Sequence, residues 1–473
     1  MKIVCQLNNN NFFNNYVLTK IMKLNIRFSL ILIQNIFALS FFLSSQTLTN
    51  NGGFIKSQPG SFIRVNGSVE NNSSGVITVN GDGTSASAQV YVTEDITNNT
   101  TATITADGYI KLLRHWYNNS TFNYGLSTVF LEGGNQFLGG TTETIFNNLT
   151  LDGTGVKTQQ INKSSVGILA LNNLQLNTDI YTFFVLNSAT GAISRNPAQI
   201  QSVQGFVSSA NGGFLSRATN STGTYLFPVG SVSNLSTNVA TATTTDDRYR
   251  PVEIVPNSAT ASSYTVRMAN LDASTTSENS PVGYNRLSKE IVMCTANPLF
   301  FHQINRSPVA ADADIKVYYI PADDGNWQGL ARWNLPSVDN TWRVITGSST
   351  TTSTAPFSVA TKTSWNNFSA TPYILYNGLS ITANCGGPVC ANVSSPAHTI
   401  NSTVTPPGTY TYAWTSNPTG YTSSSANASI TPTPSGTTAY TVTVTNSVDN
   451  CQATYNCTLT VNQNPSLIFL SPP

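Results

Sequence analysis

Between Thr47 and about Leu215, Gly and Asn turns break the chain into many short strands. Val76-Ile77-Thr78-Val79, Val90-Tyr91-Val92 and Thr103-Ile104-Thr105 are short runs of the residues that favour strands. Asn80-Gly81-Asp82-Gly83, Asn98-Asn99 and Asp107-Gly108 separate them. Branched and aromatic side chains suit a pleated surface, and Asn, Asp and Gly tolerate the backbone of a tight turn. A weak internal repeat adds order. Phe146-Asn147-Asn148-Leu149-Thr150-Leu151 is echoed by Leu171-Asn172-Asn173-Leu174-Gln175-Leu176, 25 positions later. A β-sandwich also gives short strands and frequent turns. The repeat favours a β-solenoid (parallel β-helix-like) over 47–215, whose rungs bury apolar residues on one another and stack Asn side chains along the axis.

The rest of the chain also reads as all-β. Over 216–377 the strands lengthen and alternate, as in Tyr264-Thr265-Val266-Arg267-Met268 and Ile315-Lys316-Val317-Tyr318-Tyr319-Ile320, with Trp327, Trp333 and Trp342 close together. Period-two alternation predicts an antiparallel β-sandwich. The Ser/Thr run 348–354 reads as an exposed loop within it. Over 378–463, Tyr410-Thr411-Tyr412-Ala413-Trp414-Thr415 is answered by Tyr440-Thr441-Val442-Thr443-Val444-Thr445. A Trp on an early strand and a Tyr on a late one suit an immunoglobulin-like domain. Residues 464–473 read as a linker or a truncated tail.

Only 9% of the 473 residues are charged, against about 25% in an ordinary soluble protein. Such a chain has little titratable chemistry, and its net charge of +1 steers neither nucleic acid nor an anionic membrane. Lys20, Lys23 and Arg27 precede an apolar run through Leu43, and Ser44, Ser45 and Gln46 follow. That is the layout of a signal peptide within 1–46, with Met22 as an alternative start. It predicts export and a mature chain without a transmembrane anchor. Export permits disulfides. Cys390 and Cys451 flank the two long strands, so a Cys390–Cys451 bridge would close the domain with Cys385–Cys457 outside it. Local pairing of 385 with 390 and 451 with 457 is the alternative, and Cys294 stands alone.

Candidate chemistry is sparse. Lys111, Arg114 and His115 beside Trp116 form the densest titratable cluster, which a polysaccharide lyase would use as base and cationic clamp. Asp312 and Asp314, with Asp323 and Asp324 about ten residues on, offer close oxygen ligands for calcium, although such residues also make turns. Trp116, Tyr117, Trp327 and Tyr421 would stack on sugar rings if exposed, whereas Trp333, Trp342 and Trp414 suit a core.

Several stretches together resemble the modular secreted surface proteins of Bacteroidetes, the gliding bacteria that use type IX secretion. These are Phe146-Asn147-Asn148-Leu149-Thr150-Leu151 with Gly153-Thr154-Gly155-Val156, then Phe227-Pro228-Val229-Gly230 with Tyr249-Arg250-Pro251-Val252. Gly329-Leu330-Ala331-Arg332-Trp333 follows with Trp342 and Phe368-Ser369, and last the Cys390-to-Cys451 region, which is similar to their PKD-like modules. The resemblance implies export, cell-surface display, and a structural or adhesive role on extracellular glycans or matrix. It implies no common enzymatic activity. Such proteins end in a sorting domain that engages the secretion machinery, and no such module follows Val461 here. A β-helix lyase or hydrolase, or a carbohydrate-binding module, is the alternative.

Overall fold

The computed structural model describes residues 46–464, apart from 83, 85, 197–203, 209–210, 232–247, 276–283, 309–310, 335–339, 369–371, 392–396 and 433–434. The predicted signal peptide and the tail beyond Asn464 lie outside the described residues. The described chain is all-β but for one four-residue helix, Pro321–Asp324. It forms two compact units: residues 46–208 with 213–218, and residues 211–212, 219–231 and 248–464.

The first unit is a parallel β-solenoid of about eight turns, with three faces per turn. One face stacks Leu48–Asn51, Val69–Asn72, Ile96–Asn98, Trp116–Asn118, Gln136–Gly139, Val156–Gln159, Gln175–Asn177 and Phe206–Ser208. A second runs from Phe62–Val65 through Gln89–Val92, Tyr109–Leu112, Thr128–Leu131, Asn148–Leu151 and Leu169–Asn172 to Ile193–Arg195. Strands this short close a turn because each alternate side chain meets its like one rung away. On the second face Val65, Val92, Leu112 and Leu131 stack inward in register, as do Ile63, Val90, Ile110, Val129, Leu149 and Leu169. Each buried aliphatic side chain stabilises the stack by roughly 1.5–3 kcal/mol.

The repeat seen in the sequence is out of register with this stack. Leu149 pairs with Leu169, so the rung is shorter than the spacing of the echo. Leu174 and Gln175 lie at the next corner, where Gln175–Asn177 joins the first face. The two Asn-Asn-Leu motifs mark different corners of the coil. Rungs also differ in length: the one from Val156 to Gln175 is much shorter than the next, from Gln175 to Phe206.

The predicted asparagine stacking forms on the first face. Asn50 Nδ2 donates to Asn71 Oδ1 at 2.9 Å, Asn71 Nδ2 to Asn98 Oδ1 at 3.0 Å, and Asn98 Nδ2 to Asn118 Oδ1 at 3.0 Å. Asn71, Asn98 and Asn118 are fully buried. The second amide proton of Asn71 goes to Thr103 O and that of Asn98 to Thr121 O, at 3.0 and 2.9 Å. A parallel outer ladder joins Asn51, Asn72, Asn99 and Asn119. The inner ladder stops at Asn118. The register of Tyr117 with Gly139 puts Gly140 across from it, at φ +104°, where a Cβ would lie 2.1 Å from Asn118 O. At the same rung the third face breaks. Phe54–Ser57, Val76–Val79, Thr103–Ala106 and Thr121–Asn123 form one sheet, and Thr144–Phe146, Lys163–Ser165, Thr182–Val185 and Phe214–Thr219 another. Trp116, Phe122 and Phe146 fill the interior there, with ring centroids 5.0 to 6.0 Å apart.

The second unit is built from antiparallel sheets. Ser262–Ala269, Phe301–Ser307, Pro372–Gly378, Gly329–Trp333 and Trp342–Val344 form one, and Tyr225–Phe227, Val252–Pro256, Ala313–Tyr319, Ser358–Trp365 and Ser349–Thr352 another. Ser349–Thr352, expected as a loop, is an exposed edge strand, because its β-branched threonines pair with Ser358–Thr361. Trp333 and Trp342 are buried edge to face in the core. C-terminal to these, Ser380–Asn384, His398–Thr405 and Asn427–Ile430 face a sheet containing Tyr410–Asn417, Gly436–Asn446 and Gln452–Asn462. Trp414, Val442 and Ile400 are buried in their shared core.

The disulfides correct one expected pair. Cys385 bonds Cys457, whereas Cys451 bonds Cys294 and Cys390 is an exposed free thiol. Cys390 pairs in register with Asn462, at the far end of the strand that begins beside Cys451. An extended strand of that length puts them roughly 35 Å apart. Cys294–Cys451, beside the Gln452 N to Ile291 O bond, staples the C-terminal sheets to the strand Met293–Ala296.

The inner ladder makes a quantitative expectation. Asn98→Ala removes two donated bonds and leaves Asn71 Nδ2 without its Oδ1 acceptor, so denaturant unfolding should show a loss of about 3 kcal/mol. Asn99→Ala, on the outer ladder, should cost less than about 1 kcal/mol. Equal losses would show that the inner ladder has no special weight.

Candidate functional site

Side chains that point outward on the second face of the solenoid also stack by rung. Arg64, Tyr91, Lys111 and Phe130 occupy one column in strict register. The Arg64 guanidinium lies 4.8 Å above the Tyr91 ring, and Lys111 Nζ lies 4.9 Å above Phe130. Tyr109, in the neighbouring column, meets Phe130 edge to face at 5.8 Å. Phe62 caps that column and is 59% exposed. Parallel rungs lie about 4.8 Å apart, so cationic and aromatic side chains alternate along this partly exposed column.

The chain leaves this face through Leu113, Arg114 and His115, and the expected titratable cluster sits at that corner. Lys111 pairs with Glu132 at 3.1 Å, and Arg114 pairs with Glu94 at 2.9 Å and lies 3.8 Å from Asp95. Asp95 Oδ1 accepts the His115 backbone N–H, and His115 Nδ1 accepts the Phe137 N–H at 3.0 Å. Stacking on Phe137 and contact with Tyr117 hold the imidazole. Burial lowers its pKa, against the pull of Asp95. An imidazole whose Nδ1 accepts a hydrogen bond carries its proton on Nε2, so the neutral ring offers a donor and no free lone pair. In this corner Lys111 and Arg114 are paired with carboxylates and the His115 imidazole offers its Nε2 proton. The carboxylates read from sequence as isolated turn residues are the partners of those cations.

The structure distributes the expected sugar-stacking aromatics differently. Trp116 is fully buried, its Nε1 donating to Thr144 Oγ1 at 3.1 Å, because it alternates with the outward Tyr117. In the second unit, Trp327 Nε1 donates to Asp324 O and the Tyr421 hydroxyl to Ser429 O. Trp333, Trp342 and Trp414 are core residues. Tyr91, Tyr109 and Phe130 escaped notice in the sequence. Their only signal is the outward place in Val-Tyr-Val, Tyr-Ile-Lys and Val-Phe-Leu triplets, which means nothing until the pairing of the rungs is known.

The four aspartates proposed for calcium do not form a ligand set. Asp324 is buried, and its carboxylate takes a bidentate pair from Arg250, through Nε and through Nη2 at 2.8 Å. Arg248 Nε lies 3.4 Å from it, and the Ile320 N–H donates to it. Asp323 lies 3.5 Å from the Arg250 guanidinium. Asp314 Oδ1 accepts the Ser364 N–H on the strand Ala313–Tyr319, and Asp312 precedes that strand. Among the described residues no three His, Cys, Asp or Glu side chains come together as a metal site. The close spacing in sequence reflects two different jobs: Asp323 and Asp324 pair with buried arginine, and Asp314 accepts a backbone N–H from the neighbouring strand. His302, on the strand Phe301–Ser307, completes the buried cluster with Nε2 2.8 Å from Arg250 O. Burial holds its pKa down to about 4.

Among the described residues no helix is long and apolar enough to cross a membrane. No protein-family model matches the chain, and neither a curated protein nor a solved structure matches it.

Two outcomes follow from the buried cluster. Calcium or a chelator should leave the thermal midpoint unchanged. The neutral His302 binds fewer protons folded than unfolded between its value of about 4 and the ordinary 6.5. Its stabilisation is therefore complete above pH 6.5, and about 3 kcal/mol is lost as pH falls through 4. His302→Gln keeps a donor for Arg250 O and should flatten that acid limb in a pH series of unfolding curves; an unchanged limb would rule His302 out as its source.

Proposed function

We propose that the protein is an exported, non-enzymatic surface protein with a structural and adhesive role. Its solenoid contacts extracellular polysaccharide or matrix through the second face. The carrying observation is the in-register outward stripe of Arg64, Tyr91, Tyr109, Lys111 and Phe130. Aromatic faces with polar neighbours suit sugar rings, which present one apolar side and a rim of hydroxyls. Repetition by rung suits a polymer, because several weak contacts engage at once and avidity exceeds any single affinity. The paired charges beside the stripe neither repel neutral glycans nor offer a poised base. On this reading the antiparallel sheets of 216–377 are a β-sandwich and those of 378–463 an immunoglobulin-like, PKD-like module. Both serve as structural modules of the displayed chain. The chain's resemblance to Bacteroidetes surface proteins and the signal-like N-terminus support export and engagement with secretion machinery.

Binding is tested by retention of the purified chain on immobilised neutral polysaccharides. Tyr91→Ala with Phe130→Ala should weaken retention about tenfold without moving the unfolding midpoint, a loss of the size expected for two aromatic contacts. Retention that ignores the double variant, or release of sugar fragments from the polymer, would overturn the reading. Protease treatment of intact source cells should release peptides from beyond Thr47 if the chain is displayed.

A further inference from the structure

The inner asparagine ladder ends on an amide with nothing to donate to. Asn118 Oδ1 accepts from Asn98 Nδ2 at 3.0 Å, which turns its own Nδ2 toward the following rung. Asn118 is fully buried, and that Nδ2 has no hydrogen-bond partner. For Asn71 and Asn98 the same group meets the next Asn and a corner carbonyl. Here Gly140 stands where the next Asn would, with no side chain to accept. Lys163 reaches the same corner from the rung on the other side. It pairs in register with Thr144, and its Nζ extends to Gly139 O at 3.0 Å and to Thr144 Oγ1 at 3.4 Å. Thr144 Oγ1 also accepts the Trp116 Nε1–H at 3.1 Å. An ammonium has three protons, and these two oxygens leave one of them unused. Lys163 is itself fully buried, and although burial lowers its pKa to about 8, it carries its charge at neutral pH. Among the described residues no carboxylate forms an ion pair with it. Glu143 acts on it electrostatically, but that side chain is exposed and holds the Ser164 hydroxyl. Gln159, buried on the same turn of the coil, has neither end of its amide bonded. A buried charge without an opposite charge is costly, and so are buried donors without acceptors.

We propose that this corner binds a single halide ion, chloride in ordinary saline, between Asn118 Nδ2 and Lys163 Nζ. The ion accepts the amide protons that the ladder leaves over and the unused ammonium proton, and it supplies the opposite charge that Lys163 lacks. Gln159 Nε2 offers a further donor from the same turn. A water molecule would satisfy the amide but would bring two protons of its own to a corner already rich in donors, and it would leave the ammonium uncompensated. The backbones approach closely at Gly140, where a Cβ would lie 2.1 Å from Asn118 O, which favours a monatomic ion over sulfate or a carboxylate. The site lies inside the coil and does not rest on the proposed glycan contact.

The test follows thermal unfolding of the full chain as chloride or bromide replaces gluconate at constant ionic strength, so that screening stays fixed. The unfolding midpoint should rise with halide by about 5 °C at a hundredfold excess over the Kd. Lys163→Met removes the charge and keeps the length of the side chain, and it should abolish that dependence. General effects of halide on hydration act on both proteins alike, so a rise that persists undiminished in Lys163→Met would overturn the proposal. A second measurement needs no variant. Crystals of the unaltered chain grown in bromide should show an anomalous peak within hydrogen-bonding distance of Asn118 Nδ2 and Lys163 Nζ. Density there without anomalous signal would assign the position to water and overturn the proposal, as would a midpoint that ignores halide.

Discussion

The solenoid depends on buried amides that hydrogen-bond to copies of themselves one rung away. A coil of three- and four-residue strands has little in any one rung to fix its register. A slip of one residue turns every inward side chain outward. Apolar stacking penalises that slip but tolerates exchange among Val, Ile and Leu. An inward Asn is less forgiving, because its amide in an apolar interior costs about 1–3 kcal/mol unless both ends are satisfied. Asn71 and Asn98 meet that demand fully: each accepts from the rung before, donates to the rung after, and donates again to the corner carbonyl of Thr103 or Thr121. The rungs differ in length, and the ladder lets them do so. The step from Asn71 to Asn98 is longer than those from Asn50 to Asn71 and from Asn98 to Asn118, and the extra residues fall in the corners.

Beyond Asn118 the same problem is solved with cations. Lys157 Nζ is buried with Gly133 O, Gly134 O, Thr154 O and Gln136 Oε1 all within 2.9 Å, so its three protons are shared among four oxygens. Lys163 Nζ reaches Gly139 O at 3.0 Å, in the rung where the third face breaks. Burial lowers their pKa values to about 7 and about 8, with Asp152 and Glu143 pulling the other way. Four oxygens around one nitrogen demand an ammonium, and that demand opposes the loss of charge that burial favours. The second unit uses the charged version of this device. Arg250 and Asp324 are buried together, and His302 and the Ile320 N–H take up the remaining polar atoms. A buried ion pair adds little net stability over an apolar pair, but removing one partner strands the other at a cost of about 3–5 kcal/mol. In both units the buried polar groups select one register and reject its neighbours.

What the sequence revealed follows the range of each interaction. Strand triplets such as Val90-Tyr91-Val92 and turns such as Asp107-Gly108 are local, and they were legible. The coil and its stacked asparagines were legible as a type, but the echo pointed at the wrong pair of corners, because Asn-Asn-Leu occurs at two of the three. The disulfides and the aspartates depend on distance. Cys390 and Cys451 bracket a domain in sequence yet lie beside opposite ends of the strand Gln452–Asn462, and Cys294 supplies the partner from 157 residues away. Asp323 and Asp324 look like a loop built for a hard cation. Their partners, Arg248 and Arg250, lie far upstream in the chain, and no local pattern announces them. The aromatic stripe was illegible for the same reason: its members share a column only after the coil has closed.

Low charge density makes the placement of each charge informative. On the solenoid the surface cations Lys111 and Arg114 are matched by carboxylates one rung away, and the interior ones are caged by oxygens. In the second unit Arg248 and Arg250 share Asp324, and Arg286 takes Asp272. Even where Arg332 stands directly opposite Arg343, Glu290 pairs with Arg343 at 2.9 Å.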